Sequence, residues 1–335
     1  MTRSLFVAPQ WIGDAVMTEP LLRELHRRGE QITVAALPWV APIYQYMPSV
    51  AEVIELPFKH GKLQWSERRA LGRQWRGMFD RAYVAPNSFK SALIPWLACI
   101  PERIGYHGES RYGLLTQRLL NPPRGERPPM VDFYLALSGK QVDSHHRVQP
   151  VLQRTTESVR QTLQANGLRP GAYRVIAPGA EYGPAKMWPA THVAALCQLT
   201  KSPVVLLASA KERDLCASIQ DMAVGAQVHN LAGMTSLSQA LDLISAARDM
   251  VSNDSGLMHV AAALGVPQVA VFGSSSPRHT PPLSDKAHVV WLADDPNYRP
   301  VLDCAPCFER TCRFGHTRCL SDVSPERVAQ LLQSQ

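Results

Sequence analysis

The sequence lacks the two glycine-rich signatures that mark many nucleotide-binding enzymes. It contains neither G-x-G-x-x-G nor G-x-x-x-x-G-K-[ST], which disfavours dinucleotide-dependent oxidoreductases and P-loop enzymes. It also has no apolar run long enough to cross a bilayer. The N-terminal segment MTRSLFVAPQWIGD does not resemble a signal peptide, because its apolar run is short and is broken by Pro9. We therefore expect a cytosolic protein whose seven cysteines are mostly reduced thiols.

The composition is that of a globular protein with a basic surface. The 335 residues are 45% apolar and 19% charged, which indicates about two folded domains and no extensive disorder. The formal net charge of +7 suits an anionic partner. Nucleic acid, an acidic membrane surface and an anionic substrate are all anionic partners, and the net charge alone does not distinguish among them.

The most informative stretch is Met250–Pro277, which reads MVSNDSGLMHVAAALGVPQVAVFGSSSP. Its pattern predicts a strand, a polar turn, a helix, a second strand and a Gly/Ser loop. In open α/β sheets, ligands bind at the carboxyl ends of the strands, and a helix N-terminus favours phosphate. Asp254 or Ser255 could alternatively serve only as a helix N-cap.

Similar alternation runs through both halves of the chain. It predicts two doubly wound α/β domains, residues 1–168 and 169–335, with a cleft between them. The joint is placed at Gly167–Ala172, where proline and two glycines occur together. Residues 111–129, rich in Pro and Arg, are predicted to form an exposed loop. The final helix, Pro325–Gln333, is a candidate to pack back on the first domain.

A second polar loop, PGAEYGPAKMWP at Pro178–Pro189, follows the first predicted strand of the second half. Lys186 is positioned there to offer a point charge to a phosphate. A solvated loop lysine is the ordinary alternative. Together with the turn after Met250, however, the loop favours a diphosphate site.

These segments resemble the ADP-heptose:lipopolysaccharide heptosyltransferases of glycosyltransferase family 9, and the resemblance extends along the whole chain. PQWIGDAVMTEPLLREL resembles the opening loop of that family. APNSFKSALIPWLACIPERIGYHGESRYGLL and CAPCFERTCRFGHTRCL resemble its heptosyltransferase II branch in particular.

The resemblance implies a GT-B fold whose first domain binds the acceptor and whose second binds ADP-heptose. It implies inverting transfer of L-glycero-D-manno-heptose onto the first heptose of heptosyl-Kdo2-lipid A. It further implies a cytoplasmic enzyme in peripheral contact with the inner membrane. No cofactor is expected for catalysis, and the sequence contains no D-x-D triplet.

The resemblance also assigns roles to individual residues. Asp14, in the family's GD motif, is expected to take the proton of the acceptor hydroxyl. Lys186 is expected to neutralise charge on the departing ADP. From the residues alone, Asp14 could be a helix N-cap and His259 a packing side chain. The expected donor-binding residues are Glu181, Tyr182, Lys186, Glu212, Met234, Thr235, Asp254, Ser255, Gly256, Leu257 and His259.

The acceptor that the resemblance implies is anionic, because it carries Kdo carboxylates and usually phosphates. The basic residues available to it in the first half are Lys59, Lys62, Arg68, Arg69, Lys90, Arg103 and Arg111. A solvated surface explains several of these. The candidates for acceptor binding are Asn87, Ser88, Lys90 and Arg111.

Four cysteines near the C-terminus have the spacing C-x₂-C-x₄-C-x₆-C. They are Cys304, Cys307, Cys312 and Cys319, with His316 among them. The spacing is compatible with a structural zinc site, but it lacks a second C-x₂-C pair. Packed free thiols and an oxidised pair are the alternatives.

Three other functions were weighed against a heptosyltransferase. A GT-B enzyme could move another sugar or use another acceptor, as a heptosyltransferase I does. A non-catalytic nucleotide-sugar-binding protein is disfavoured because Asp14 and Lys186 are both present. Nucleic-acid binding is suggested only by charge, with no recognised motif, and we expect no nucleic-acid partner.

Overall fold

The computed structural model describes residues 1–59, 61–123, 127–140 and 148–333. The chain divides into two compact units, Met1–Gln153 and Arg154–Gln335. In the described ranges, each unit is built around one six-stranded sheet, and every paired strand is parallel to its neighbour. This confirms the predicted α/β alternation.

The first sheet has the order β3-β2-β1-β4-β5-β6. Its strands are β1 (Thr2–Val7), β2 (Glu30–Ala36), β3 (Glu52–Glu55), β4 (Arg81–Val84), β5 (Glu102–Tyr106) and β6 (Gln117–Leu119). The strand order reverses direction between β1 and β4. The loops that leave the carboxyl ends of these two strands therefore diverge and leave a crevice at that edge.

Six helices accompany the first sheet within the described part of the unit. They are α1 (Ile12–Met17), α2 (Glu19–Arg27), α3 (Ala41–Tyr44), α4 (Trp65–Gln74), α5 (Phe89–Leu97) and α6 (Met130–Leu135). The close approach of α4 to α5 depends on Gly72, because a Cβ there would lie 2.5 Å from the Cβ of Leu97.

The second sheet has the order β12-β11-β10-β7-β8-β9. Its strands are β7 (Arg174–Ala177), β8 (Val204–Leu206), β9 (Val228–Asn230), β10 (Asp249–Asn253), β11 (Gln268–Phe272) and β12 (Ala287–Trp291). The central strands β10 and β11 are buried at every position, as expected for strands covered on both faces. Here the order reverses between β7 and β10, so the loops that leave the carboxyl ends of these two adjacent strands border a crevice at that edge.

The helices of the second unit complete the double winding. Those described are α7 (Thr156–Ala165), α8 (Ala190–Leu199), α9 (Arg213–Met222), α10 (Leu237–Ser245), α11 (Gly256–Ala263), α12 (Arg318–Ser321) and α13 (Pro325–Gln333). The last of these packs within its own unit: α13 contacts α8 and β11, and its Val328 and Leu332 join the second core.

The boundary between the units lies before α7, earlier than the joint expected at Gly167–Ala172. The reason is a buried polar cluster around Asp242 of α10. Arg154 Nε donates to its carboxylate at 2.7 Å, Ser158 Oγ at 2.7 Å and Thr162 Oγ1 at 2.8 Å. These bonds attach α7 to the second unit. The expected joint was placed from the proline and glycines of Gly167–Ala172, and this local composition carries no information about contacts with Asp242.

The loop expected over residues 111–129 also contains structure. Its residues Gln117–Leu119 form β6, an edge strand parallel to β5, while residues 124–126 lie outside the described residues. The side chains of β6 are mostly exposed. The strand therefore lacks the apolar pattern by which a buried strand is predicted from sequence. Arg111, at the start of the same segment, is buried.

Candidate active site

Asp14 lies close to the carboxyl end of β1. The strand ends at Val7, and Asp14 falls in the first turn of α1. Trp11 occupies the N-cap position of that helix, so Asp14 is not its N-cap. Asp14 instead lines a cavity of about 600 Å³ in the first unit. The residue predicted to act as a base is therefore placed where a ligand can enter.

A hydrogen bond from α6 restrains the Asp14 side chain. The Tyr134 hydroxyl donates to Asp14 Oδ1 at 3.1 Å. Burial raises the pKa of Tyr134 well above its ordinary value, and the Asp14 carboxylate raises it further. The phenol therefore keeps its proton and acts as a donor. Tyr134 was not predicted from the sequence, although a buried phenol usually needs a polar partner.

Three of the four residues predicted to bind the acceptor line the same cavity. Asn87, Ser88 and Lys90 stand around the start of α5. Arg111 does not line it. Its buried guanidinium donates to the carbonyl oxygen of Pro86 at 2.7 Å and to Asn87 Oδ1 at 3.2 Å. The structure therefore uses Arg111 to hold the loop that carries Asn87, because the guanidinium is already occupied by its own chain.

In the second unit, an ion pair joins the loop after β7 to the turn after β10. Lys186 Nζ lies 2.5 Å from Asp254 Oδ2, and the side chains are only 18% and 6% exposed. The two residues are distant in sequence but meet because β7 and β10 are neighbours in the sheet. Their pairing fixes a cation next to the N-terminus of α11.

Asn253, the last residue of β10, braces this arrangement and was not predicted to do so. Its Nδ2 donates to the carbonyl oxygen of Pro178 at 2.6 Å, and its Oδ1 accepts from the Trp188 backbone at 2.9 Å. Both ends of the Lys186 loop are therefore tied to one buried amide. The sequence feature that could have identified Asn253 is its position as a polar amide at the end of a predicted strand.

Three buried hydroxyls at this edge have no hydrogen-bond partner within the described part of the chain: Ser255, Ser274 and Ser275. Ser255 stands at the N-cap of α11, yet its side chain makes no capping bond. Buried polar atoms are normally hydrogen-bonded, so these hydroxyls suit a ligand that supplies acceptor oxygens. This observation disfavours a purely capping role for Ser255.

His259 lies on α11 and is buried. Burial lowers its pKa to about 4; the nearby Asp254 opposes that shift, whereas Lys186 adds to it. The imidazole is therefore neutral near pH 7. It cannot supply a second positive charge to a diphosphate, although it remains available for hydrogen bonding.

Tyr182 links the Lys186 loop to the C-terminal segment. Its ring centroid lies 5.1 Å from Lys186 Nζ and 5.2 Å from the guanidinium carbon of Arg310, and its hydroxyl donates to the Phe308 carbonyl at 2.7 Å. The neighbouring Glu181 is exposed and pairs with Lys211 at 2.7 Å. Tyr182 therefore has a defined contact with the candidate phosphate-binding lysine.

The remaining predicted donor residues lie on the loops after β8 and β9. Glu212 accepts from the Ser209 backbone at 2.9 Å, and a Cβ at Gly179 would come 1.7 Å from its Oε1. The Glu212 carboxylate therefore packs directly on the loop after β7. Met234 is 71% exposed and, with Thr235, precedes α10.

The site can now be compared with known proteins. Residues 68–318 match the glycosyltransferase family 9 (heptosyltransferase) sequence pattern. The chain is 41% identical over 348 residues to the lipopolysaccharide heptosyltransferase 2 of Escherichia coli, an alignment that covers 98% of this chain and 97% of that protein. The chain belongs to glycosyltransferase family 9.

Two further comparisons agree with this assignment. The family 9 glycosyltransferase described here is 42% identical over 348 residues to lipopolysaccharide heptosyltransferase 2 of Salmonella typhimurium, covering 98% of this chain and 97% of that one. The structure of E. coli ADP-heptose lps heptosyltransferase II matches with a TM-score of 0.83 at 38% identity, covering 99% and 98% of the two chains. The predicted α/β fold of the GT-B class is thereby confirmed.

The cysteine segment of this glycosyltransferase supports the Lys186 loop. Arg310 O accepts from the Ala185 backbone at 3.0 Å, and Phe308 donates to Ser274 O at 2.7 Å. Cys304, Cys307, Cys312, His316 and Cys319 line one small cavity, and the thiols are free. Over the described ranges, no group of three or more His, Cys, Asp or Glu side chains could hold a metal ion. The side chains thus do not form the zinc site that their spacing left open.

We expect Tyr134→Phe to change the pH dependence of transfer as well as its rate. A hydrogen bond donated to a carboxylate favours the charged form, so its loss makes Asp14 easier to protonate. The acidic limb of the kcat/KM profile should move to higher pH, and kcat should fall about tenfold. Tyr112→Phe removes an exposed hydroxyl outside the cavity and should leave the profile unchanged. An unshifted acidic limb in Tyr134→Phe would show that the Tyr134 hydrogen bond does not influence Asp14.

Proposed function

We propose that this glycosyltransferase transfers L-glycero-D-manno-heptose from ADP-heptose to the first heptose of the lipopolysaccharide inner core, with inversion. The observation that carries the proposal is the Lys186–Asp254 pair, 2.5 Å apart beside the N-terminus of α11. The names of the relatives, lipopolysaccharide heptosyltransferase 2, support the choice of sugar and acceptor.

The second unit is assigned to the donor. Lys186 offers a cation to the diphosphate. The hydroxyl of Ser255, which has no partner among the described residues, and the first-turn amides of α11 offer hydrogen bonds. Gly256 and Leu257 belong to that turn. Glu212 lies on the neighbouring loop, where a carboxylate can accept from ribose hydroxyls. Met234 and Thr235 would then border the adenine.

The first unit is assigned to the acceptor and to proton transfer. The acceptor oxygen attacks the anomeric carbon from the face opposite ADP, the bond from that carbon to the phosphate oxygen breaks, and Asp14 takes the hydroxyl proton. Lys186 stabilises the negative charge that the leaving ADP acquires. Each step uses a side chain of this protein, and none routes through a metal ion. Asn87, Ser88 and Lys90 line the cavity with Asp14 and are proposed to contact the acceptor.

Contact with the cytoplasmic face of the inner membrane is part of the proposal, because the acceptor is a lipid. The segment before and within α4 supports it. Leu63 and Trp65 are 48% and 45% exposed, and exposed cations accompany them at Lys62, Arg69 and Arg73. Aromatic and apolar side chains beside cations suit an anionic lipid surface.

None of the helices described is both long and apolar enough to cross a membrane.

We expect the wild-type protein to use only the heptosylated acceptor. ADP-heptose should be offered with Kdo2-lipid A and, separately, with heptosyl-Kdo2-lipid A, and product should be followed by mass spectrometry. Addition of one heptose to the second acceptor alone supports the proposed reaction. Addition to Kdo2-lipid A would assign the enzyme to the first transfer instead.

Asp14→Asn should retain the fold and donor binding but lose most transfer. A positioned general base contributes about 10²–10⁴-fold to the rate, so kcat should fall within that range while the Kd for ADP-heptose stays near the wild-type value. Asp80→Asn is the matched control, because Asp80 is an exposed carboxylate paired with Arg3 outside the cavity. Near-normal turnover by Asp14→Asn would remove Asp14 from the mechanism.

A further inference from the structure

Arg68 is a buried cation inside the first unit. It lies on α4, is only 5% exposed, and its guanidinium carbon sits 4.0 Å from the centroid of the Phe58 ring. Nε donates to the Leu63 carbonyl at 2.6 Å, and Nη1 donates to the Lys90 carbonyl at 3.0 Å. Backbone oxygens and an aromatic ring therefore hold the guanidinium in one orientation.

No acidic side chain among the described residues forms an ion pair with Arg68. The adjacent Glu67 carboxylate is exposed and accepts from Ser66 Oγ at 2.8 Å. Burial lowers the pKa of Arg68, as expected for a cation that has lost water without gaining a full counter-ion. Nη2 makes no hydrogen bond to the described residues, whereas Nε and Nη1 are both engaged.

Arg68 is also one of the residues that line the cavity that contains Asp14. Lys90 adds a second cation to the cavity lining, and Glu109 adds a second carboxylate. Glu109 already accepts from the Phe89 backbone at 2.6 Å, and Asp14 accepts from Tyr134 at 3.1 Å. Both carboxylates therefore have donors of their own, and Arg68 adds a partly desolvated positive charge to the residues that line the cavity.

We propose that Arg68 binds an anionic group of the acceptor, a carboxylate or a phosphate, through Nη2 and so selects acidic acceptors. The inference rests on the proposed function, since it takes the acceptor to occupy the Asp14 cavity. A charge-assisted hydrogen bond in a poorly hydrated site is strong, and the fixed guanidinium loses little side-chain freedom on binding. Arg68 thus contributes specificity for the acidic group, and Lys90 is a second cation in the same cavity lining.

The test compares three acceptors: heptosyl-Kdo2-lipid A, the same molecule with its Kdo carboxyls reduced to alcohols, and the same molecule without its lipid A phosphates. For the wild type, KM should rise about 10- to 100-fold for the acceptor that lacks the recognised group. Arg68→Gln should raise KM for the complete acceptor by a similar factor. The variant should then have similar KM values for the complete acceptor and for the acceptor that lacks the recognised group. The KM for ADP-heptose should not change. Arg68→Lys should restore part of the selectivity.

Arg103→Gln is the matched control. Arg103 also donates to backbone carbonyls, those of Leu114 at 2.7 Å and Ile100 at 2.5 Å, but it does not line the cavity. Its variant should keep the wild-type selectivity. Equal KM values of the wild type for all three acceptors would overturn the proposal without reference to any variant. So would an equal rise of KM for all three in Arg68→Gln, which is the result expected of a purely structural arginine.

Direct binding of the three acceptors, measured without donor, separates this inference from the proposed reaction. If the wild type binds the acceptors selectively, Arg68→Gln loses that selectivity and no heptose transfer is detected, the proposed reaction is refuted and the anion site is retained. Transfer without selectivity would retain the reaction and refute the anion site.

Discussion

The 2.5 Å ion pair between Lys186 and Asp254 is the contact on which the organisation of the second unit's site depends. It joins two polar loops that leave adjacent parallel strands, and Asn253 ties the same loops by hydrogen bonds to Pro178 and Trp188. Removing one partner of a buried pair leaves an uncompensated charge, which typically costs about 3–5 kcal/mol. The pair therefore holds the loops in place before any ligand binds.

The electrostatics of the pair also suit a diphosphate. Asp254 orients the Lys186 ammonium, while buried hydroxyls nearby have no partner in the described part of the chain. His259 is neutral near pH 7 because burial lowers its pKa to about 4. The positive charge at this edge thus comes from Lys186 and the dipole of α11, and both favour the binding of a diphosphate.

The first unit places its charged groups in a different way. Asp14 has a hydrogen-bond donor in Tyr134, whereas Arg68 is held by two backbone carbonyls and pairs with no carboxylate of the described residues. A carboxylate that is oriented but still accessible can accept a proton. A cation that is oriented but not neutralised can receive an anion. Under the proposed function, one cavity would hold both the proton-accepting carboxylate and the cation that recognises the acceptor.

Much of this arrangement was predictable from the sequence because it follows from topology. Alternating strands and helices imply parallel sheets, and the carboxyl ends of neighbouring strands meet, so the approach of Lys186 to Asp254 followed from their positions after β7 and β10. Asp14 was predictable in the same way. Its motif placed it in the loop region after β1.

Contacts that depend on side-chain burial were not predictable. Arg68 and Arg111 are both buried arginines beside polar loops, yet Arg68 lines the cavity, whereas Arg111 does not line it and donates to Pro86 and Asn87. Tyr134 reaches Asp14 across 120 positions of sequence. The boundary before α7 depends on bonds to Asp242 that no local composition reveals.

The most direct test of the central claim is to measure the binding of ADP and AMP to the wild type and to Lys186→Met by calorimetry. The two ligands differ by one phosphate, so their affinity ratio isolates what the protein gains from the diphosphate. If Lys186 holds that group, the wild type should prefer ADP, and the preference should fall about 10- to 100-fold in the variant while AMP affinity changes little. An unchanged ratio of ADP to AMP affinity in Lys186→Met would contradict the assignment of the Lys186–Asp254 site to the donor diphosphate.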